Sequence, residues 1–124
     1  MTQLEMALTT LRETEDDHWE GQILHSMGMV FLDQQDNEQA WALFSEALDK
    51  FRHSKDTLWE ARTQISIGRA EAAAGGVANA LAAYHAAWPL LVEQGANADL
   101  KRLEALLNAV PGGTEASDRD LDRQ

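Results

Sequence analysis

Apolar residues return along most of this chain every three or four positions. Ala40, Leu43, Phe44, Ala47, Leu48 and Phe51 form one unbroken stripe, and Ala80, Ala83, Tyr84, Ala87, Trp88 and Leu91 form a second. Leu24, Met27, Gly28 and Phe31 mark a shorter third. Spacing of this kind gathers side chains on one side of an α-helix, and no stretch sustains the period of two that a strand needs. Punctuation agrees. Thr2 with Glu5, Asp17 with Glu20, Asp36 with Gln39 and Thr57 with Glu60 each set a capping side chain three residues before Glu or Gln. Gly75, Gly76 and Gly95 close the periodic stretches before them. The pattern predicts helices over 2–14, 17–34, 37–54, 57–74, 77–94 and 98–109. Such short connections make neighbouring helices antiparallel. Pro89, inside the fifth helix, lacks the N–H that the preceding turn needs and predicts a kink or break near Trp88.

The stripes recur. Shifted by 40 residues, Trp19 and Glu20 fall on Trp59 and Glu60, Ser26 on Ser66, Gly28 on Gly68, Ala40 on Ala80, Ala42 on Ala82 and Ala47 on Ala87. Phe44 meets Tyr84. The matching positions are small or aromatic, the kind that packing restricts. A mid-helix Gly costs about 1 kcal/mol relative to Ala, so its return at Gly28 and Gly68 implies a bulky group from a neighbouring helix against each bare backbone. The same shift sets Ala7 on Ala47, Leu8 on Leu48, Arg12 on Arg52 and Asp16 on Asp56. The chain thus divides into a half unit 2–16, full units 17–56 and 57–96, and a terminal helix 97–110, together one domain over 1–110. Residues 111–124 carry a single large apolar residue, Leu121, and read as a disordered acidic tail.

The joint spacing of Leu24, Met27, Gly28, Phe31, Ala40, Phe44 and Ala47, returned as Ile67, Gly68, Ala80, Tyr84 and Ala87, resembles the tetratricopeptide repeat family. The period here is longer than that family's common unit, and Glu71 stands where an aromatic is expected. The resemblance implies an all-α fold, an α-α superhelix of about six helices in antiparallel pairs. It also implies a non-catalytic adaptor that grips a peptide or helix of a partner protein in a concave groove. Carried over by position, the groove presents Gln22, His25, Met29, Leu32 and Asp33 from the first unit, then Arg62, Ile65, Arg69, Ala72 and Ala73 from the second. Relatives that hold a C-terminal carboxylate use Lys and Asn; His25 and Met29 occupy those positions, so that mode is not expected.

Arg62 and Arg69 lie two turns apart and share a helix face, and Arg102 extends the strip from the last helix. An Arg pair can chelate a carboxylate; the alternative is that both are solvated or paired with Glu60 and Glu71. The strip is notable because the chain has 10 Lys and Arg against 21 Asp and Glu, a formal charge of −11. That balance disfavours nucleic acid and anionic membranes as partners. No stretch has the length and apolarity of a membrane span, and no secretory signal is visible. The absence of Cys excludes disulfides and thiol chemistry and fits a reducing compartment, read as cytoplasmic.

Other chemistry finds little support. His18, His25, His53 and His85 form no metal-binding spacing, the acidic clusters at 13–17 and 33–38 read as helix junctions, and no cofactor is implied. Ser26 and Ser66 read as small packing residues, since a nucleophile needs an adjacent base and an oxyanion hole. Trp19 and Trp59 read as packing residues at helix starts, and Trp41 as a core-edge residue with partner anchoring as the alternative. Two rival functions remain. One is homodimerisation, or a regulatory role in a larger signalling or transcription system, through an end face built on Leu4, Met6, Leu8 and Leu11. The other is a small-molecule sensor, favoured if Arg62, Arg69 and His25 converge on a deep apolar cavity.

Overall fold

The computed structural model describes residues 2–7 and 16–110, and all regular structure among them is helical. Residues 3–7 belong to helix α1. Then come α2 (Asp17–Asp33), α3 (Asn37–His53), α4 (Thr57–Ala73), α5 (Val77–Gln94) and α6 (Asn97–Ala109). Helix α2 pairs with α3 and α4 with α5; α3 also packs on α4, α5 on α6, and α2 touches α4. This is an α-α superhelix of antiparallel helix pairs. The acidic tail at 111–124, and Leu8 and Leu11 of the end face, lie outside the described residues.

One turn geometry joins all five of these longer helices. Gln35, Lys55, Gly75 and Gly95 take the left-handed conformation, with φ of 62°, 58°, 85° and 63°. Around each, the amide one residue on donates back to a carbonyl of the last turn, Asp36 to Phe31, Asp56 to Phe51, Gly76 to Glu71 and Ala96 to Leu91. The left-handed residue donates to Leu32, Arg52, Ala72 and Val92 respectively. These are Schellman closures, repeated every 20 residues. The residue that ends each closure is also the N-cap of the next helix, which is why the connections are so short.

The caps refine the sequence reading. Thr2 and Glu5 form the reciprocal box: the Glu5 amide donates to Thr2 Oγ1 at 3.2 Å and the Thr2 amide to Glu5 Oε1 at 3.5 Å. Asp36 accepts from the Gln39 amide at 3.3 Å. The cap of α2 is Asp16, not Asp17, and accepts from the Trp19 amide. The cap of α4 is Asp56, not Thr57, and makes no side-chain capping bond because its carboxylate is engaged by His18 Nδ1.

The core is where small residues on one helix meet rings on the next. A Cβ on Gly28 would stand 2.5 Å from Phe44 Cε1, and one on Gly68 would run into the ring of Tyr84 in the same way. The mid-helix glycines are therefore kept by the aromatics that press on them. Gly21 adds a third such contact, 2.7 Å from Phe51 Cε1. Its repeat mate is Ala61, and the mate of Phe51 is Leu91, both fully buried in one cluster. Where the small partner grows, the large one shrinks. Helix α5 runs through Pro89 without a break at Trp88. Both Pro89 and His85, whose carbonyl loses a donor, lie on the exposed side, where that carbonyl is open to solvent.

Candidate functional site

Helices α2, α4 and α6 alternate with the packing helices α3 and α5 and border one cavity of about 760 Å³, open to solvent. His25 and Met29 come from α2, Trp59, Arg62, Ile65, Ser66 and Arg69 from α4, and Asp99, Arg102, Ala105 and Leu106 from α6. Met29, Ile65, Ala105 and Leu106 give it an apolar lining, and three guanidinium groups stand around them. The three helices contribute in register: His25, Ile65 and Ala105 are successive 40-residue mates, as are Arg62 and Arg102.

The arginines differ in what they are free to do. Arg62 is a fixed wall. Its Nε donates to Asp99 Oδ1 and its Nη2 to Asp99 Oδ2, both at 3.2 Å, and its Cζ lies 5.3 Å from the centre of the Trp59 ring. A bidentate pair of this kind is geometrically specific, and Asp99, buried in the first turn of α6, gains from the positive end of that helix. Arg62 thus pairs with neither Glu60 nor Glu71; Glu60 instead faces Arg52. Arg69 and Arg102 are exposed, and among the described residues neither has a carboxylate within ion-pairing distance. The free cationic pair at this site is Arg69 and Arg102.

His25 forms part of the wall between α2 and α4. Its ring sits 5.3 Å from that of Phe44 and 5.8 Å, edge-on, from that of Trp59. Its Nε2 is 2.8 Å from Ser66 Oγ, and that hydroxyl is 3.2 Å from the Arg62 carbonyl. Donation from His25 Nε2–H to Ser66, and from Ser66 to the carbonyl, satisfies all three groups. Burial first, then Arg62 and Arg69, lower the imidazole to about 4, so it is neutral at pH 7. Ser66 does therefore have an imidazole beside it, a proximity the sequence did not show. An imidazole held so low is a weak proton acceptor, and the Arg62 and Arg69 guanidinium groups oppose a positive charge on it.

Of the groove residues read from the sequence, His25, Met29, Arg62, Ile65, Arg69 and Arg102 line the cavity. Gln22, Leu32, Asp33, Ala72 and Ala73 do not. Gln22 Nε2 lies 2.7 Å from His18 Nε2, Leu32 packs into the cluster of Ala40, Phe44 and Ala70, and Asp33 ends α2 in solvent. Asp99 and Ser66 were not anticipated as site residues. The clue at Asp99 is that it stands where the repeat twice has Trp, at Trp19 and Trp59. Trp59 stacks on Phe51, with ring centres 5.6 Å apart, whereas Trp19 is 52% exposed and sets its ring edge-on to that of His18. Trp41, 47% exposed, borders a separate cleft of about 280 Å³ with Asn37, Glu38, Ala70, Glu71 and Ala74. Among the described residues no cluster of His, Asp and Glu could hold a metal ion, and no helix is long and apolar enough to cross a membrane.

Comparison of the sequence with protein-family models and with curated proteins finds no match.

Proposed function

We propose that this chain is a non-catalytic adaptor of the tetratricopeptide-like kind, and that its trough seats a short segment of a partner protein. The observation that carries this reading is the pairing, in one open cavity, of an apolar lining with two arginines that no described carboxylate neutralises. A segment with an apolar side chain against Met29, Ile65 and Leu106, and a carboxylate between Arg69 and Arg102, answers both features at once. The weak basicity of His25 supports a recognition surface over a reaction centre. The open form of the cavity favours a peptide over an enclosed small molecule.

Selection from a random peptide library tests the reading. Bound peptides should be enriched in Asp or Glu near Leu, Ile or Phe, and Arg69→Glu with Arg102→Glu should abolish their binding while helical circular dichroism is retained. Arg62 is unsuitable for this test because Arg62→Glu breaks the contact with Asp99 and Trp59. Undiminished binding by the double variant would refute the proposal.

A further inference from the structure

The outer side of α5 differs from the rest of the protein surface. No Asp, Glu, Lys or Arg stands between Glu71 and Glu93, in a chain with 25% charged residues. The corresponding helix of the preceding unit supplies an internal control. Glu38, Glu46, Asp49 and Arg52 of α3 become Ala78, Ala86, Pro89 and Val92 on α5. These four α5 residues are all exposed. Buried Leu48 becomes Trp88, which is 38% exposed, and Val92 is 55% exposed. At matched positions of the same repeat, charge has been removed and apolar bulk has moved outward. Packing within the described chain accounts for neither change.

We infer that this face pairs with a second copy of the chain, α5 against α5 in antiparallel fashion about a two-fold axis at His85. Charge and shape both argue for that occupant. Two molecules that each carry −11 repel wherever their carboxylates oppose, and this face opposes none: Glu93, exposed at its C-terminal edge, comes level with Val77 of the other copy. The side chains are also self-complementary. Ala82 and Trp88 lie three residues on either side of His85, and Ala78 and Val92 lie seven on either side. At helical spacing all of them, with Leu81 and Pro89, fall on one side of α5. Under a two-fold through His85, Trp88 of one copy lies beside Leu81 of the other, Ala82 beside Pro89, and Val92 level with Ala78. Apolar side chains meet apolar ones along the seam, and each contact is made twice, as an isologous interface requires. The trough opens among α2, α4 and α6, so pairing through α5 leaves it free and would give the assembly two of them.

The natural absence of Cys makes a direct test available. His85→Cys places a thiol on the axis, and mild oxidation should give a covalent dimer. Ala78→Cys alone should not, because its two thiols would lie roughly 20 Å apart along the helices. An equimolar mixture of Ala78→Cys and Val92→Cys should cross-link. In sedimentation equilibrium the unmodified chain should show a dimer that tightens as salt screens the like net charges. Ala82→Glu should raise its dissociation constant more than tenfold, and Met6→Glu should leave it unchanged. A strict monomer, cross-linking of Ala78→Cys as fast as His85→Cys, or a dimer insensitive to Ala82→Glu would each overturn the inference.

Discussion

At the scale of single residues, the packing of this protein depends on positions with no side chain to spare. Ala is favoured over Gly in a helix by about 1 kcal/mol, yet Gly28→Ala should destabilise the fold by ~1–3 kcal/mol, because its Cβ would enter the fully buried ring of Phe44. Denaturant melts check the sign. The second unit indicates the remedy. Gly21→Ala should be costly alone and less so with Phe51→Leu, since the pair then copies Ala61 and Leu91; a double-mutant cycle should show that coupling. His25 gives a pH prediction. Its folded pKa of about 4 lies below the usual 6.5. As pH falls from about 6.5 to 4, the unfolded chain therefore takes up a proton that the folded chain refuses. Stability is lost across that window, up to roughly 3 kcal/mol, and levels off below it. His25→Gln should remove this component. The difference in unfolding free energy between the two proteins at pH 7 and pH 4 measures it.

At the scale of elements, the hairpin turns set the architecture. Four left-handed residues in identical closures hold the helices at one spacing, and two of the four, Gln35 and Lys55, are not Gly. A non-Gly residue there is strained, so Lys55→Gly should raise the unfolding free energy by about 1 kcal/mol, as read from urea denaturation. Gly95→Ala should lower it by a similar amount. Helix positions and pairing were legible in the sequence because the apolar stripes and the Gly residues after α4 and α5 mark them. The closures after α2 and α3 were not, since Gln and Lys carry no turn signature. The caps were displaced by one residue at α2 and α4 because adjacent Asp and Thr offer equivalent acceptors. Only the folded contact of Asp56 with His18 removes one of them from service. Pro89 was expected to kink α5 or break it near Trp88; there is no break, and its place on the exposed side lets the helix continue.

At the scale of the whole molecule, alternation divides the labour. Helices α3 and α5 carry the aromatic and alanine stripes of the core, while α2, α4 and α6 turn an apolar and cationic surface to one open trough. The in-register groove positions of α2 and α4 could be read from the repeat. The distinction among the arginines could not, because it depends on Asp99, far along the chain, reaching back to Arg62. The neutrality of His25 likewise depends on burial and on two guanidinium groups brought near by folding. The most direct test of the account is a nitrogen-15 NMR titration of the protein with an acidic, leucine-bearing peptide from the library selection. Amide shifts should concentrate at His25, Met29, Ile65, Arg69, Arg102 and Leu106, with α3 little affected. Shifts centred on α3, or binding that leaves the α4 and α6 resonances in place, would contradict it.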